Sequence, residues 1–194
     1  MNNQQILADR QRMESLADTL VADLSASNQD FVADLIYRYR VKDTLSGAAL
    51  HQELMRRLDT VPVSLALSQA AMESAWGTSR FAREGNNLFG QWCYEAGCGI
   101  VPKRRGAGQV HEVASFDDVD AAVASYLRNI NSHPAYSDLR GARAQLRASG
   151  ETVTGKILAA HLLRYSERGQ DYVDEIRSMI RVNKLGALDL AEAS

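Results

Sequence analysis

Glu73 is the only charged side chain between Val61 and Ser79, in the stretch VPVSLALSQAAMESAWGTS, and no other segment constrains the fold so tightly. On a helical wheel at about 100° per residue, Val61 to Ala75 puts apolar or alanine side chains on almost every sector. Such a helix has no face to offer water, so the rest of the chain has to enclose it, and the charge goes inside with it. Desolvation penalises an ionised carboxylate and raises its pKa, which keeps a glutamic acid protonated near neutral pH and able to give a proton to a leaving group. Ala66, Gln69 and Ala70 lie one to two turns before Glu73 on the same side of the wheel, small or polar, leaving room in front of the carboxyl. A buried glutamate satisfied by hydrogen bonds or an ion pair would give the same pattern.

Enclosing that helix takes other helices, and the sequence supplies them. Leu7, Met13, Leu16, Leu20 and Leu24 follow helical spacing, and Phe31, Leu35 and Tyr39 continue it after Ser27-Asn28. Leu50, Leu54 and Leu58 mark a third helix starting near Ser46, and Thr60-Val61-Pro62 opens the helix of Glu73, with proline in its first turn. Thr78 to Arg83 reads as a short helix, and GNNLFGQWCYEAGCG as an ordered loop. Ile100 to Phe116 carries the β signal: IVPKRR and QVHEVASF flank Gly106-Ala107-Gly108, as in a small hairpin. Ser115 to Asp118 offers caps for the helix VDAAVASYLRNI, and further helices are expected at Pro134 to Arg147, Thr152 to Leu163 and Asp171 to Asn183. The tail GALDLAEAS reads as frayed.

With 194 residues and 45% hydrophobic content, the chain can bury this core as one main domain without metal or disulfide staples. A net charge of −2 with interspersed signs gives no footprint for nucleic acid, although Lys103-Arg104-Arg105 is a local basic cluster. No run of about 18 apolar residues is present to span a membrane. The start, MNNQQILADRQRM, lacks a basic-then-apolar signal segment, so the chain reads as soluble, in keeping with a mature or trimmed form of an exported protein. Cys93 and Cys98 either close a small disulfide loop or remain free thiols, and their spacing does not choose between the two. His51, His111, His133 and His161 are scattered without metal-ligand spacing.

The string QAAMESAWGTSRFAREGNNLFGQW resembles the core of bacterial glucosaminidase domains, glycoside hydrolase family 73, whose acid helix ends in A-x-E-S-x-W-G and is followed by an N-L-F-G loop. The matching residues are Ala71, Glu73, Ser74, Trp76 and Gly77, then Asn87, Leu88, Phe89 and Gly90. YLRNINSHPAY and LLRYSERGQDYVDEIRSMI are similar to the later helices of that family, and FGQWCYEAGCGIVP brings the chain nearest its Bax-like branch.

The resemblance implies a mostly helical α+β, lysozyme-like domain over residues 59–185, with a small β-hairpin lobe and a glycan groove. Residues 1–58 would form a helical N-terminal extension, and 186–194 a frayed tail. It implies hydrolysis of the β-1,4 bond between N-acetylglucosamine and N-acetylmuramic acid in peptidoglycan, in the cell envelope or periplasm, without metal or organic cofactor. Glu73 occupies the family's acid position. The second carboxylate belongs in the β-lobe, where Glu112 is the choice over Glu95 and Asp117. Tyr165 in RYSERG matches a family tyrosine near the acid. Asn87, Phe89, Gln91, Trp92 and Tyr126 are expected to line the sugar groove, because sugars need aromatic platforms and amide partners. Trp76 is assigned to the core, and Ser74, without a His–Asp partner, is a neighbour of the acid rather than a nucleophile. A lytic transglycosylase, a non-catalytic glycan-binding module and a helical interaction domain are the competing readings.

Overall fold

The structure, a computed structural model, describes residues 1–17, 19, 23–103, 105, 106 and 108–191. Leu20, Arg104 and Ala107, named above for their sequence pattern, lie outside the described residues, as does the end of the tail. The fold is mostly helical α+β. Its helices are α1 (Asn3–Glu14), α2 (Ala26–Arg38), α3 (Gly47–Arg57), α4 (Val63–Glu73), α5 (Arg80–Gly85), α6 (Val119–Ser132), α7 (Ser137–Ala148), α8 (Gly155–Leu158), α9 (Gln170–Val182) and α10 (Gly186–Ala191).

The apolar helix α4 is enclosed on one side only, and Leu67 on the other side is left 46% exposed. Ser64, Leu65, Ser68 and Gln69 are fully buried, and α8, α9 and α10 pack around it. The start of α8 comes so close that a Cβ on Gly155 would sit 2.1 Å from Ser64 Oγ and 2.7 Å from Leu65 N, so glycine is the residue that fits there. The inner residues of α1 to α3, among them Ile6, Met13, Leu35 and Leu54, share one continuous apolar cluster with Leu65, Ile130, Leu158 and Ile176.

A polar knot fixes the chain just before α4. Arg143 of α7, with no exposed surface, donates to the carbonyls of Asp59 and Thr60 at 3.2 and 2.9 Å. Arg147 reaches Asp59 Oδ1 at 3.1 Å. Arg10 of α1 donates to the carbonyls of Met55 and Leu58. Burial alone would raise the pKa of Asp59, but Arg143, Arg147 and Arg10 outweigh it and hold the carboxyl below its usual range.

Several expectations need correction. Pro62 is the N-cap of α4 rather than a first-turn residue, and α1 stops before Leu16. The glycine-rich stretch is not all loop: it holds β1 (Trp92–Cys93) and the start of β2 (Gly99–Ile100). Both strands pair antiparallel with β3 (Glu112–Ala114), in the order β1-β3-β2. The expected hairpin therefore shrinks to the pairs Gly99↔Ala114 and Ile100↔Val113. Residues 101–111, with Pro102, charged side chains and two glycines, have no alternating apolar face to extend the ladder.

The tail does not start to fray at Gly186. Asp189 of α10 is 4% exposed, and its carboxylate accepts from Ser64 N at 2.9 Å, Ser64 Oγ at 2.6 Å and Gly155 N at 2.9 Å. Pro62 has no side-chain oxygen to cap α4, so a residue 125 positions downstream of Ser64 satisfies its first turn instead.

Candidate active site

Glu73 is the last residue of α4, half-buried, and the chain beyond it turns abruptly. Ala75, Trp76 and Gly77 have φ of 50°, 58° and 76°, so two non-glycine residues occupy the left-handed region directly after the carboxyl. Buried Ser74 braces this turn: its Oγ accepts from Gly77 N at 2.7 Å, the structural role expected of a residue with no nucleophile's partners. Trp76 is not in the core. The turn swings it outward, leaving it 68% exposed, because helical periodicity ends at Glu73.

Opposite the carboxyl lies the Asn-Leu-Phe-Gly loop. A Cβ on Gly90, whose φ is 63°, would stand 3.4 Å from Glu73 Oε2, so glycine both adopts the turn and keeps the space before the carboxyl open. Asn87 is 2% exposed and builds this loop. Its Nδ2 donates to the carbonyls of Gln91 and Ala114 at 2.9 and 2.8 Å, and its Oδ1 accepts from the backbone of Phe89 and Gln91. Phe89 is buried and stacks on Tyr126 with centroids 4.1 Å apart. Gln91 donates to the Ala122 carbonyl and accepts from Ser125 Oγ on α6. Asn87, Phe89, Gln91 and Tyr126, expected along the groove, are thus engaged in holding the loop and core together. Of that set only Trp92 is exposed, at 58%, with its ring stacked on His111 at 4.3 Å.

Tyrosines crowd the inner side of Glu73. The Tyr172 hydroxyl lies near enough to the Glu73 carboxyl to lower its pKa, and Tyr165 stacks on Tyr172 with centroids 5.4 Å apart. Tyr165 donates its own hydroxyl to the Phe89 carbonyl at 3.0 Å, tying the last third of the chain to the loop facing the acid. Burial raises the pKa of Glu73, and the nearby Tyr172 hydroxyl and the Arg168 charge draw it back only in part. Burial also holds the four tyrosines around it protonated: it pushes Tyr136 to about 12 and raises Tyr126, Tyr165 and Tyr172 as well. Tyr172 was missed by sequence reasoning. Its position on the apolar face of the last long helix was legible beside Val173 and Ile176, but its contact with Glu73 was not.

Glu112 sits in β3 and shows the opposite electrostatics. Its oxygens accept from Gly97 N at 3.1 Å and Gly99 N at 2.9 Å, and these bonds lower its pKa. Both glycines adjoin Cys98 in the loop that Cys93 and Cys98 close, a disulfide with Cα atoms 6.2 Å apart. Cys93, Cys98 and Glu112 cluster closely enough for a metal, but bridged sulfurs are not thiolate ligands. Glu95 and Asp117 are exposed. Among the described residues, no helix is long and apolar enough to cross a membrane.

The glucosaminidase family profile, described as mannosyl-glycoprotein endo-β-N-acetylglucosaminidase, matches residues 48–185. Protein bax of Escherichia coli (strain K12) is 37% identical over 152 residues, which cover 78% of this chain and 54% of the relative. The chain thus spans about half the length of that relative. No solved structure gives a significant match.

Proposed function

Since this chain belongs to the glucosaminidase family, whose members cleave glycans, we propose that it is a peptidoglycan hydrolase that cuts the β-1,4 bond between N-acetylglucosamine and N-acetylmuramic acid. One observation carries the assignment: at the end of a helix buried on one side, Glu73 has a raised pKa and faces a loop that Gly90 keeps clear of it. A carboxyl that burial makes hold its proton to higher pH than usual can protonate the glycosidic oxygen, so the leaving sugar departs as an alcohol. Help of this kind is typically worth about 10² to 10⁴ in rate.

Glu112 is assigned the second carboxylate. The environments of the two groups push their pKa values apart, Glu73 up by burial and Glu112 down by two backbone N–H donors, as an acid and an ionised partner require. The same two bonds make Glu112 a staple of the disulfide loop, so its variants need a folding control. Tyr165 supports the site by holding the loop that faces the acid. Exposed Trp92, and Trp76 beside the acid, are the platforms offered to sugar rings. The Cys93–Cys98 bridge supports an oxidising compartment such as the cell envelope.

The test is digestion of purified peptidoglycan by the wild type and Glu73→Gln, with the products identified by mass spectrometry. The proposal expects reducing-end N-acetylglucosamine from the wild type and a loss of at least about a hundredfold in the variant. Products ending in 1,6-anhydro-N-acetylmuramic acid would instead identify a lytic transglycosylase. Binding without cleavage would identify a glycan-binding module.

A further inference from the structure

Glu112 is held by two backbone donors that belong to different parts of the fold. Gly99 N donates to its Oε2 at 2.9 Å, and Gly97 N to its Oε1 at 3.1 Å. Gly99 is fixed by the sheet: it pairs with Ala114 in β3, and a Cβ on it would stand 2.0 Å from the Val113 carbonyl oxygen. Gly97 has no such support. It lies outside the strands with a φ of 83°, and residues 94–97 are all exposed, so no packing pins them.

What pins Gly97 is the bridge. Cys93 is the direct cross-strand partner of Glu112, so the two side chains leave the sheet on the same face. The Cys93 and Cys98 sulfurs and a Glu112 carboxylate oxygen all lie within 4.8 Å of one another. With a sequence separation of 5, the disulfide closes residues 94–97 into a short ring, across which Cys98 N donates to the Glu95 carbonyl at 3.1 Å. A cross-link of this kind acts by taking away conformations that an open loop would have. The conformation kept is the one that turns Gly97 N toward Oε1.

We propose that the Cys93–Cys98 bridge is a positioning element of the site: it holds Gly97 N on Glu112, and its cleavage by a dithiol frees Oε1 and slows turnover. The inference rests on Glu112 being the second carboxylate. In the redox step the S–S bond takes up two electrons and two protons and becomes two thiols, while the dithiol closes to its own disulfide. Cys93 and Cys98 are the two cysteines of the chain, so the reagent has no other target. The ladder survives reduction, and Gly99 keeps Oε2. A carboxylate held by one oxygen can swing about that bond, whereas one held by both cannot. The Gly97 and Gly99 bonds lower the Glu112 pKa, so losing one of them raises it. Arg105 also lowers it, but Arg105 donates to the carbonyls of Val110 and His111 rather than to the loop, and acts in both redox states. The freed thiols are neutral where a carboxyl titrates and add no charge.

The test compares full-length protein in the two redox states. With ¹³C at glutamate side-chain carboxyls, the Glu112 signal is assigned by its absence in Glu112→Gln and titrated by NMR before and after reduction with dithiothreitol. Reduction should move the Glu112 titration to higher pH, and amide exchange should quicken at Gly97 more than at Gly99. On peptidoglycan, kcat should fall on the order of tenfold at nearly constant KM, since a bound carboxylate has lost its orientation. The acid limb of the pH–rate profile should move up with the Glu112 titration, which a merely destabilised fold would not produce. Reoxidation should restore every one of these readouts. Cys93→Ser with Cys98→Ser should match the reduced wild type and ignore dithiothreitol; if that variant misfolds, the reversible change in the wild type decides. An unmoved Glu112 titration with equal exchange at the two glycines would overturn the proposal. So would an unchanged kcat on reduction when Glu112→Gln is inactive. Undiminished cleavage by folded Glu112→Gln would overturn the second-carboxylate assignment instead, and the titration would still decide whether the bridge holds the carboxyl.

Discussion

Asp189 lies outside the family match of residues 48–185, yet the helix carrying Glu73 begins on its carboxylate. Asp189→Ala removes three bonds at once, to Ser64 N, Ser64 Oγ and Gly155 N. Bonds to a charged group contribute about 1.5 kcal/mol each at the low end, so the three are worth about 4.5 kcal/mol. Water entering beside α10 recovers some of this, leaving an expected loss of about 3 kcal/mol. For a chain of this size that corresponds to a drop in Tm of about 6 to 12 °C. Asp189→Asn keeps one of the two oxygen acceptors and should fall between Asp189→Ala and the wild type. Ser64→Ala, which breaks only the 2.6 Å hydroxyl bond, should cost about 1 kcal/mol. Urea denaturation followed by circular dichroism measures all three, with an unchanged m-value showing that stability alone has moved. A loss below about 1 kcal/mol for Asp189→Ala would refute the reasoning, because α10 would then not be holding the start of α4.

Three further outcomes follow from the site and its supports. With its folded pKa above the ordinary value of 4.5, Glu73 contributes stability that is fully present below about pH 4.5 and is lost as pH rises through the raised value. Glu73→Gln escapes that loss, so its Tm advantage over the wild type should open as pH rises from about 4 to 8, and a pH-independent difference in thermal melts would refute the raised pKa. Trp92→Ala and Trp76→Ala should each raise KM for glycan strands about two- to tenfold at nearly constant kcat, the range of a lost aromatic contact, checked by steady-state release of reducing ends. Arg143→Ala leaves Asp59 buried with fewer partners and takes a donor from the Thr60 carbonyl and one of two from the Asp59 carbonyl, so it should destabilise by about 3 kcal/mol in the same denaturation assay.

The features that depend on neighbours along the chain were legible in the order of the residues. The apolar run set the burial of one side of α4 and the raised pKa of its one charge. Asp118 and Ser46 stand at the N-cap positions of α6 and α3, and Asp118 was legible because its cap acts within three residues, on Ala121 N. The glucosaminidase motif located Glu73 and the loop opposite it. Other features were decided by packing between distant elements. Asn87 and Phe89 looked like sugar contacts by residue type and became scaffold because β3 and α6 close over them. Trp76 looked like core by its place after a buried helix, and two left-handed residues turned it out to solvent.

Gln69 shows the boundary most sharply. Its nearness to Glu73 on the wheel followed from 3.6 residues per turn, but its partners, Tyr126 and Tyr172, stand 57 and 103 positions away. Asp189 reaches α4 across 125. Periodicity states which side of a helix is buried and that Glu73 must be an expensive charge. Which groups meet Gln69 and the start of α4 was decided only when α6, α9 and α10 closed around α4, because a hydrogen bond depends on position in space rather than on distance along the chain.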